Sequence, residues 1–229
     1  MRALTLSLLT ATALMSAAGI GPAMAAGGNQ AYTTQIGDGN QAFVMQPGTA
    51  NGSETTQDGV GNKAYVDQVG SSDEATTWAK GSFNTQRIRQ DGSGQGNEGT
   101  NFAQGDGNDQ YISQVDAGNV ATNTAYGNGN RQSITQSSRR NVASNLVGNG
   151  HGNGQLIEQS GSDNDASNTV QGGGTSNIQE IRQSGNGNYA DNLVNWGAGN
   201  QQYITQASHD NHAVQTASGN GNLAIIVQN

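Results

Sequence analysis

The chain contains no cysteine, few charges and few aromatic residues, and each of these scarcities excludes a class of protein. Without cysteine it forms neither disulfides nor thiolate metal sites. Only 32% of its 229 residues are hydrophobic and 5% are aromatic, which is too little apolar surface for a conventional globular core. Charged residues make up 11%, whereas disordered polyelectrolytes are rich in charge. What is abundant is Gly, Asn, Gln, Ser and Thr, which indicates a repeat structure or a prion-like chain.

The N-terminal segment has the features of a secretory signal peptide. Arg2 opens a short positive region, residues 3–20 are almost wholly apolar or small, and Ala23-Met24-Ala25 supplies the small-x-small pattern of a cleavage site, with Ala23 and Ala25 as its small residues. A membrane-anchoring helix is the alternative, although glycines and a proline interrupt the apolar run. We expect residues 1–25 to be removed, residues 26–28 to form a short leader and the protein to be secreted.

The remainder of the chain is acidic. All 17 Asp and Glu residues follow residue 25, whereas Arg2, one of the nine basic residues, precedes it. A chain of this charge repels polyanions, so we expect no nucleic-acid partner.

An asparagine recurs along the remaining sequence at a spacing close to 11 residues. It occupies positions 29, 40, 51, 62, 84, 97, 108, 119, 130, 141, 153, 164, 177, 188, 200, 211 and 222, and Asp73 fills the single gap. Each step holds seven residues of alternating character and a short turn such as Ile36-Gly37-Asp38-Gly39. Seven residues rising about 3.3 Å each form a strand of roughly 23 Å, and Gly and Asn turns supply the positive φ angles that reverse it. The repeat predicts eighteen strands over residues 29–229.

Two kinds of strand alternate. With each asparagine as position 0, the first strand of a pair has a small residue at position 2, and the second has a β-branched aliphatic at position 4 and Gln at position 6. Positions 0, 2, 4 and 6 are regular and positions 1, 3 and 5 are not. Because alternate side chains face opposite sides of a strand, the regular set is predicted to line the interior. In the second strands this set comprises Asn40, Val44, Gln46, Asn62, Val66, Gln68, Asn84, Ile88, Gln90, Asn108, Ile112, Gln114, Asn130, Ile134, Gln136, Asn153, Ile157, Gln159, Asn177, Ile181, Gln183, Asn200, Ile204, Gln206, Asn222, Ile226 and Gln228.

These patterns predict an all-β fold, a two-sheet β-solenoid of nine strand-turn-strand coils stacked as in cross-β amyloid. The strands of one coil run in opposite directions across the core, so the branched residue of one meets the small residue of the other. Buried Gln and Asn need hydrogen bonds, and stacked identical coils supply them as amide ladders along the axis. A disordered low-complexity chain is the alternative, but disorder requires no such register.

The pattern N-x-A-x-N-x-V, turn, N-x-Q-x-I-x-Q, with turns such as Gly127-Asn128-Gly129-Asn130, resembles the curlin repeat. Residues 136–147 and 183–194 carry the Q-x4-N-x-A spacing of that family, and the resemblance covers residues 29–228. It implies a curli fibre subunit, similar to the major subunit, whose spaced Asn and Gln residues form the amyloid ladder. It also implies a minor nucleator subunit, an outer-membrane export pore and a periplasmic chaperone as partners, and an extracellular fibre in the biofilm matrix.

Polymerisation is the function that the sequence favours. Solenoids normally carry atypical capping repeats, and the sequence shows none at either end, so we expect the ends to stack head to tail in a contact that does not close. The alternative is a monomeric secreted solenoid that binds ice, a glycan or another surface through one flat face. It requires a regular outward array, which positions 1, 3 and 5 are not expected to supply. An enzyme is not expected because no insertion forms a cleft, and neither is a cofactor or a small-molecule substrate.

Three local patterns are better explained without chemistry. Residues 94–99 match G-x-G-x-x-G, but no apolar strand precedes them and the glycine content makes a chance match easy. His209-Asp210-Asn211-His212 and His151 fall in turns or point outward, so no metal site is expected there. Outward position 3 carries aromatic residues that either form an adhesive stripe or reflect strand propensity, at Tyr32, Phe43, Tyr65, Tyr111 and Tyr203.

Overall fold

In a computed structural model, which describes residues 24–25, 27–92 and 96–229, the chain forms nineteen β-strands. No helix in this part of the chain is long and apolar enough to cross a membrane. The strands are β1 Met24–Ala25, β2 Gln30–Ile36, β3 Gln41–Gln46, β4 Gly52–Val60, β5 Lys63–Gln68, β6 Glu74–Ser82, β7 Thr85–Asp91, β8 Glu98–Gln104, β9 Asp109–Val115, β10 Val120–Tyr126, β11 Arg131–Ser137, β12 Val142–Val147, β13 Gly154–Ser160, β14 Asp165–Val170, β15 Ile178–Ser184, β16 Tyr189–Trp196, β17 Gln201–Gln206, β18 His212–Ser218 and β19 Leu223–Gln228.

The odd-numbered and even-numbered strands form separate sheets. One sheet runs in order from β1 and β3 to β19 and the other from β2 to β18, and all neighbouring pairs are parallel. Two consecutive strands therefore make one coil, from coil 1 (β2 and β3) to coil 9 (β18 and β19). Equivalent residues stack in register, as Ile112, Ile134 and Ile157 do. The predicted two-sheet β-solenoid of nine coils is confirmed.

β1 is an addition that the repeat pattern does not predict. Met24 and Ala25 pair with Met45 and Gln46 at the edge of β3, although both belong to the predicted signal peptide. The free edge of a sheet accepts extended backbone of almost any sequence, because the bonds are made by main-chain groups. The rest of that predicted peptide, Ala23 included, lies outside the described residues, so cleavage and secretion stay predictions.

The core is a thin layer of large and small side chains between the two sheets. Ile134 and Gln136 of β11 are buried, whereas Ser133 and Thr135, which alternate with them, are partly exposed. One apolar cluster joins branched residues of the odd-numbered sheet to alanines of the even-numbered sheet: Val66, Ile88, Ile112, Ile134, Ile157, Ile181 and Ile204 with Ala75, Ala121, Ala143, Ala166, Ala190 and Ala213. The large side chains meet the small ones, as close packing of a thin core requires.

One glycine column follows the turn between the two strands of each coil. Its members stand three residues before each asparagine of the second strands, at Gly37, Gly59, Gly81, Gly105, Gly127, Gly150, Gly174, Gly197 and Gly219. At Gly127, φ is 109°, and a Cβ would overlap the carbonyl oxygen of Gly150 in the next coil. Sequence reasoning attributed the turn glycines to positive φ alone. The structure adds the close approach of stacked backbones as a second requirement.

Replacement of Gly127 by alanine is therefore expected to be far more damaging than replacement of Gly129 in the same turn. A Cβ at Gly129 meets nothing within 4 Å, so G129A carries only the strain of its φ of 64°, about 1 kcal/mol. G127A adds overlap with backbone that cannot move, and we expect it to lower the free energy of unfolding by more than about 2 kcal/mol. Denaturant unfolding of both variants measures these changes. Equal losses of unfolding free energy would contradict the close backbone approach at the glycine column.

Candidate functional site: interior amide ladders and open strand ends

Nine glutamines at position 6 of the second strands form one continuous ladder. In each coil the Nε2 group donates to the Oε1 of the glutamine in the following coil at 2.8–3.0 Å, from Gln46 to Gln228. The same Nε2 groups also reach main-chain carbonyls of the other sheet, as Gln136 does to Val120 at 3.0 Å. Each glutamine thus fixes the spacing of the coils and the separation of the two sheets.

The asparagines at position 0 form two further ladders that fasten three coils at once. Asn108 donates its main-chain N–H and its Nδ2 to Oδ1 of Asn84 in the preceding coil, both at 3.0 Å. Its Nδ2 also donates to the carbonyl of Gly127 in the following coil at 2.8 Å. Equivalent bonds from asparagine to the glycine column recur along the solenoid. A short side chain with both a donor and an acceptor is required, which explains the recurrence of Asn.

The two kinds of ladder point in opposite directions along the axis. In the bonds between amide side chains, glutamine donates toward the C-terminal end, from Gln114 to Gln136 for example, whereas asparagine donates toward the N-terminal end, from Asn130 to Asn108. The solenoid therefore has a chemical polarity in addition to the direction of its strands, and its two ends differ.

Two inner ladders show this polarity where they stop. One contains Gln86, Gln110, Gln132, Gln155, Gln179 and Gln202, and the other contains Asn101, Asn123, Asn145, Asn168 and Asn192. Among the described residues, Oε1 of Gln86, the first glutamine, and Oδ1 of Asn192, the last asparagine, accept no hydrogen bond. An interrupted column thus leaves one buried acceptor without a donor.

The interior residues predicted from the sequence all lie in these columns, but the end coils bury them less. From coil 2 to coil 8 the predicted Asn, Val or Ile and Gln residues of the second strands are buried. Val44, Ile226 and Gln228 are partly exposed and Asn222 is exposed, because no coil covers them on one side. The end strands therefore have the same inward pattern as the other strands, but each lacks a neighbouring strand on one side.

Asp73 is the one charged residue in the asparagine columns. Its Oδ1 accepts from the main chain and side chain of Asn97 at 2.8 and 3.1 Å, and its buried Oδ2 has no partner among the described residues. Burial raises the pKa of this carboxyl, the bonds from Asn97 oppose the rise, and the negative charge of Asp91 adds to it.

Outward charges form exposed ion pairs between coils. Arg140 and Asp163 make a bidentate contact at 2.6 and 2.8 Å, and the bond from Arg140 lowers the pKa of Asp163. Such exposed pairs contribute little to stability, so they do not hold the solenoid together.

The outward aromatic residues do not form one continuous stripe. Phe43 and Tyr65 stack with ring centroids 5.4 Å apart. Three strands of the same sheet separate Tyr111 from Tyr203, and Tyr32 lies on the other sheet. An adhesive stripe through all five residues is therefore excluded.

The other sheet carries a regular outward array, contrary to the expectation that outward positions show none. Hydroxyl side chains occupy position 3 in five successive coils, at Thr76, Thr100, Thr122, Ser144 and Ser167. The column contains both Thr and Ser, so no single residue type recurs at this position in the sequence.

The histidine patterns have structural roles in the described part of the chain. Nδ1 of His151 accepts the main-chain N–H of Asn128, and Nδ1 of His209 accepts that of Asn186; in both cases the donor lies in the equivalent turn of the preceding coil. His212 stacks on Tyr189 at 4.7 Å. No group of three or more possible metal ligands occurs among the described residues, and residues 93–95, part of the G-x-G-x-x-G pattern, lie outside them.

The chain matches no model of a known protein family and no curated protein sequence.

Replacement of Gln136 by leucine tests the energetic importance of the ladder. Leucine has a similar volume but leaves Oε1 of Gln159 without the bond from the preceding coil. An unpaired buried acceptor costs about 1–3 kcal/mol. We expect Q136L to lower the free energy of unfolding by that amount, and Q201L, at an exposed position in β17, to change it by less than about 0.5 kcal/mol. Equal effects in denaturant unfolding would contradict a stabilising ladder.

Proposed function

We propose that the protein is the structural subunit of an extracellular, curli-like amyloid fibre that polymerises head to tail. The observation that carries the proposal is the match between β19 at one end and β3 at the other. Continuing the coil register by one step places Ala224 on Ala42, Ile226 on Val44 and Gln228 on Gln46. A second molecule would thus continue the interior columns much as the next coil does within one chain.

The main-chain groups of the two edges are complementary as well. The N–H groups of Gln201 and Ala207 donate to the carbonyls of Asn222 and Gln228. The main-chain N–H and C=O groups of successive residues in a strand point to opposite edges. Those of Leu223, Ile225 and Val227 therefore point to the open edge of β19. They would pair there with the edge of β3 of the next molecule. β1 occupies part of that edge, and the predicted cleavage after Ala25 would open it.

The outward faces of the end strands support the same junction. Leu223, Ile225 and Val227 are each at least 60% exposed, and Phe43 and Met45 are also exposed at the other end. In the stacked register Ile225 would lie beside Phe43 and Val227 beside Met45, so cross-strand apolar contacts would form between molecules.

The direction of the ladders favours head-to-tail over head-to-head assembly. Nε2 of Gln228 would donate to Oε1 of Gln46, and Nδ2 of Asn40 would donate to Oδ1 of Asn222, as within the chain. Two like ends would break the parallel strand register. A contact between unlike ends does not close, so it grows a filament.

The resemblance to curlin repeats supports the wider assignment. A signal peptide, export through an outer-membrane pore, nucleation by a minor subunit and a role in biofilm matrix, adhesion and aggregation are parts of the proposal on that basis. No catalytic activity belongs to it.

Fibre formation by the purified chain lacking residues 1–25 is the direct test. We expect growth that is detected by thioflavin T, fibres in electron micrographs, and a shorter lag when preformed fibres are added as seeds, because seeds present completed coil ends. A stable monomer with a β circular dichroism spectrum and no response to seeds would refute the proposal.

A proline at the free edge of β19 should convert the protein into a chain terminator. I225P removes an N–H that faces the open edge and leaves the bonds to β17 intact. The variant should join a wild-type fibre through its N-terminal end and then block further addition, so small amounts should slow elongation. I225T loses apolar surface but keeps the N–H, and it should continue to elongate. If sub-stoichiometric I225P left wild-type elongation unchanged, the proposed junction would be wrong.

The hydroxyl column at Thr76, Thr100, Thr122, Ser144 and Ser167 favours one second candidate, a monomeric surface-binding solenoid. The neighbouring outward position carries Trp78 and Phe102, stacked at 4.3 Å, followed by Thr124 and Leu146. The regular array is thus one column wide, so the fibre remains the proposal with more support.

A further inference from the structure

Asp73 stands where every other coil has an asparagine, and this difference leaves one buried oxygen without a donor among the described residues. The Nδ2 of an asparagine at this position contacts acceptors on both sides. Asn119, for example, donates to Oδ1 of Asn97 and to the carbonyl of Ser138, nineteen residues later. Asp73 has Oδ2 in place of that donor, and it has no hydrogen-bond partner among the described residues.

The groups that surround Oδ2 by register are themselves acceptors. The carbonyl nineteen residues after Asp73 belongs to Gly92, and the preceding asparagine, Asn51, offers an Oδ1 that already accepts the main-chain N–H of Asp73. A carboxylate here would face lone pairs on two sides in a position with no solvent exposure. A carboxylic acid would supply the missing donor.

The charged groups around this position do not favour an anion. Asp91 of β7 acts on Asp73 through its negative charge and itself pairs with Arg89 at 3.8 Å. Glu74, beside Asp73 on β6, and Glu98, on the next strand of that sheet, are exposed on the outer face.

We propose that Asp73 takes up a proton from solvent when the solenoid forms, and that its Oδ2–H then donates to the carbonyl of Gly92. The stability of coil 3 thereby depends on a proton, whereas the other interior columns carry no titratable group. The inference about the coil rests on the fold alone. Its consequence, that mild acid promotes fibre growth through this residue, rests on the proposed function.

The direction of the pH effect follows from burial. The pKa of Asp73 is raised in the folded state, so folding takes up a proton. The stabilising contribution of the acid form is complete below the pKa of the unfolded chain, and it is lost as the pH rises through the folded pKa. The variant D73N carries an amide at this position, which completes the ladder without a proton, so its stability is free of this dependence.

The test compares the folding stability of wild type and D73N over a pH series. The measurement applies to the monomer and to the fibre alike. Wild type should be nearly as stable as D73N in acid. Between the unfolded and folded pKa, its folding equilibrium constant relative to D73N should fall by up to tenfold for each unit of pH. D109N, which removes an exposed carboxylate of β9, should show no such dependence relative to wild type.

Infrared spectra give a second readout that does not depend on fibre formation. In mildly acidic solution the C=O band of a buried carboxylic acid should be stronger in folded wild type and D109N than in folded D73N. Burial also raises the pKa of Asp165 and of Asp191, which all three proteins keep, so the difference between the spectra is the readout. A stability difference that is constant across the pH series, or a band of equal strength in wild type and D73N, would overturn the inference. If the band and the pH dependence are present but no fibres grow, the inference stands and the proposed function fails.

Discussion

The structure depends on the requirement that every side-chain amide buried between the two sheets must find a hydrogen-bonding partner. An unpaired buried amide costs about 1–3 kcal/mol, and a typical coil buries several of them. The copy of the same residue in the next coil, at the strand spacing of about 4.8 Å, is the partner with matching geometry. Gln114 on Gln136 and Asn84 on Asn108 show this arrangement. The interior residues of successive coils must therefore be chemically alike. The position of the glycine column is set in the same way, because the asparagine amides donate to its carbonyls.

This requirement makes the assembly of coils cooperative. A lone coil forms no ladder bonds because it has no neighbouring coil. Each further coil supplies partners to the one before it, so the first contacts are the least favourable. Oε1 of Gln86 and Oδ1 of Asn192 accept no hydrogen bond from the part of the chain that the structure describes, and they show the local consequence of a ladder that stops. In the proposed fibre, a completed end would supply a template that a free chain lacks. An end coil of the same sequence pattern would then act as a growth site.

The sequence predicts the fold because a period near 11 residues marks each strand and turn. It predicts the interior residues because the two-residue alternation marks which side chains face inward. Ile134, Gln136 and Asn130 occupy the inward positions that counting from each asparagine assigns to them. Features that depend on three-dimensional approach were not predicted. The glycine column needs the next turn as well as φ, the hydroxyl column is hidden by exchange of Thr for Ser, and β1 pairs through backbone alone. The directions of the ladders are likewise set by side-chain rotamers, which periodicity does not encode.

The same constraint divides the chain into parts that must repeat and parts that are free to differ. Inward positions are bound to their copies, whereas the outward positions of β11 and β15 carry Arg131, Ser133, Glu180 and Arg182 without disturbing the stack. The outward faces of β19 and β3 carry the apolar residues Leu223, Ile225 and Val227 at one end and Phe43 and Met45 at the other. In the proposed fibre, interior repetition would let two ends join in register. Contact between these apolar side chains would then add to the main-chain hydrogen bonds of the junction.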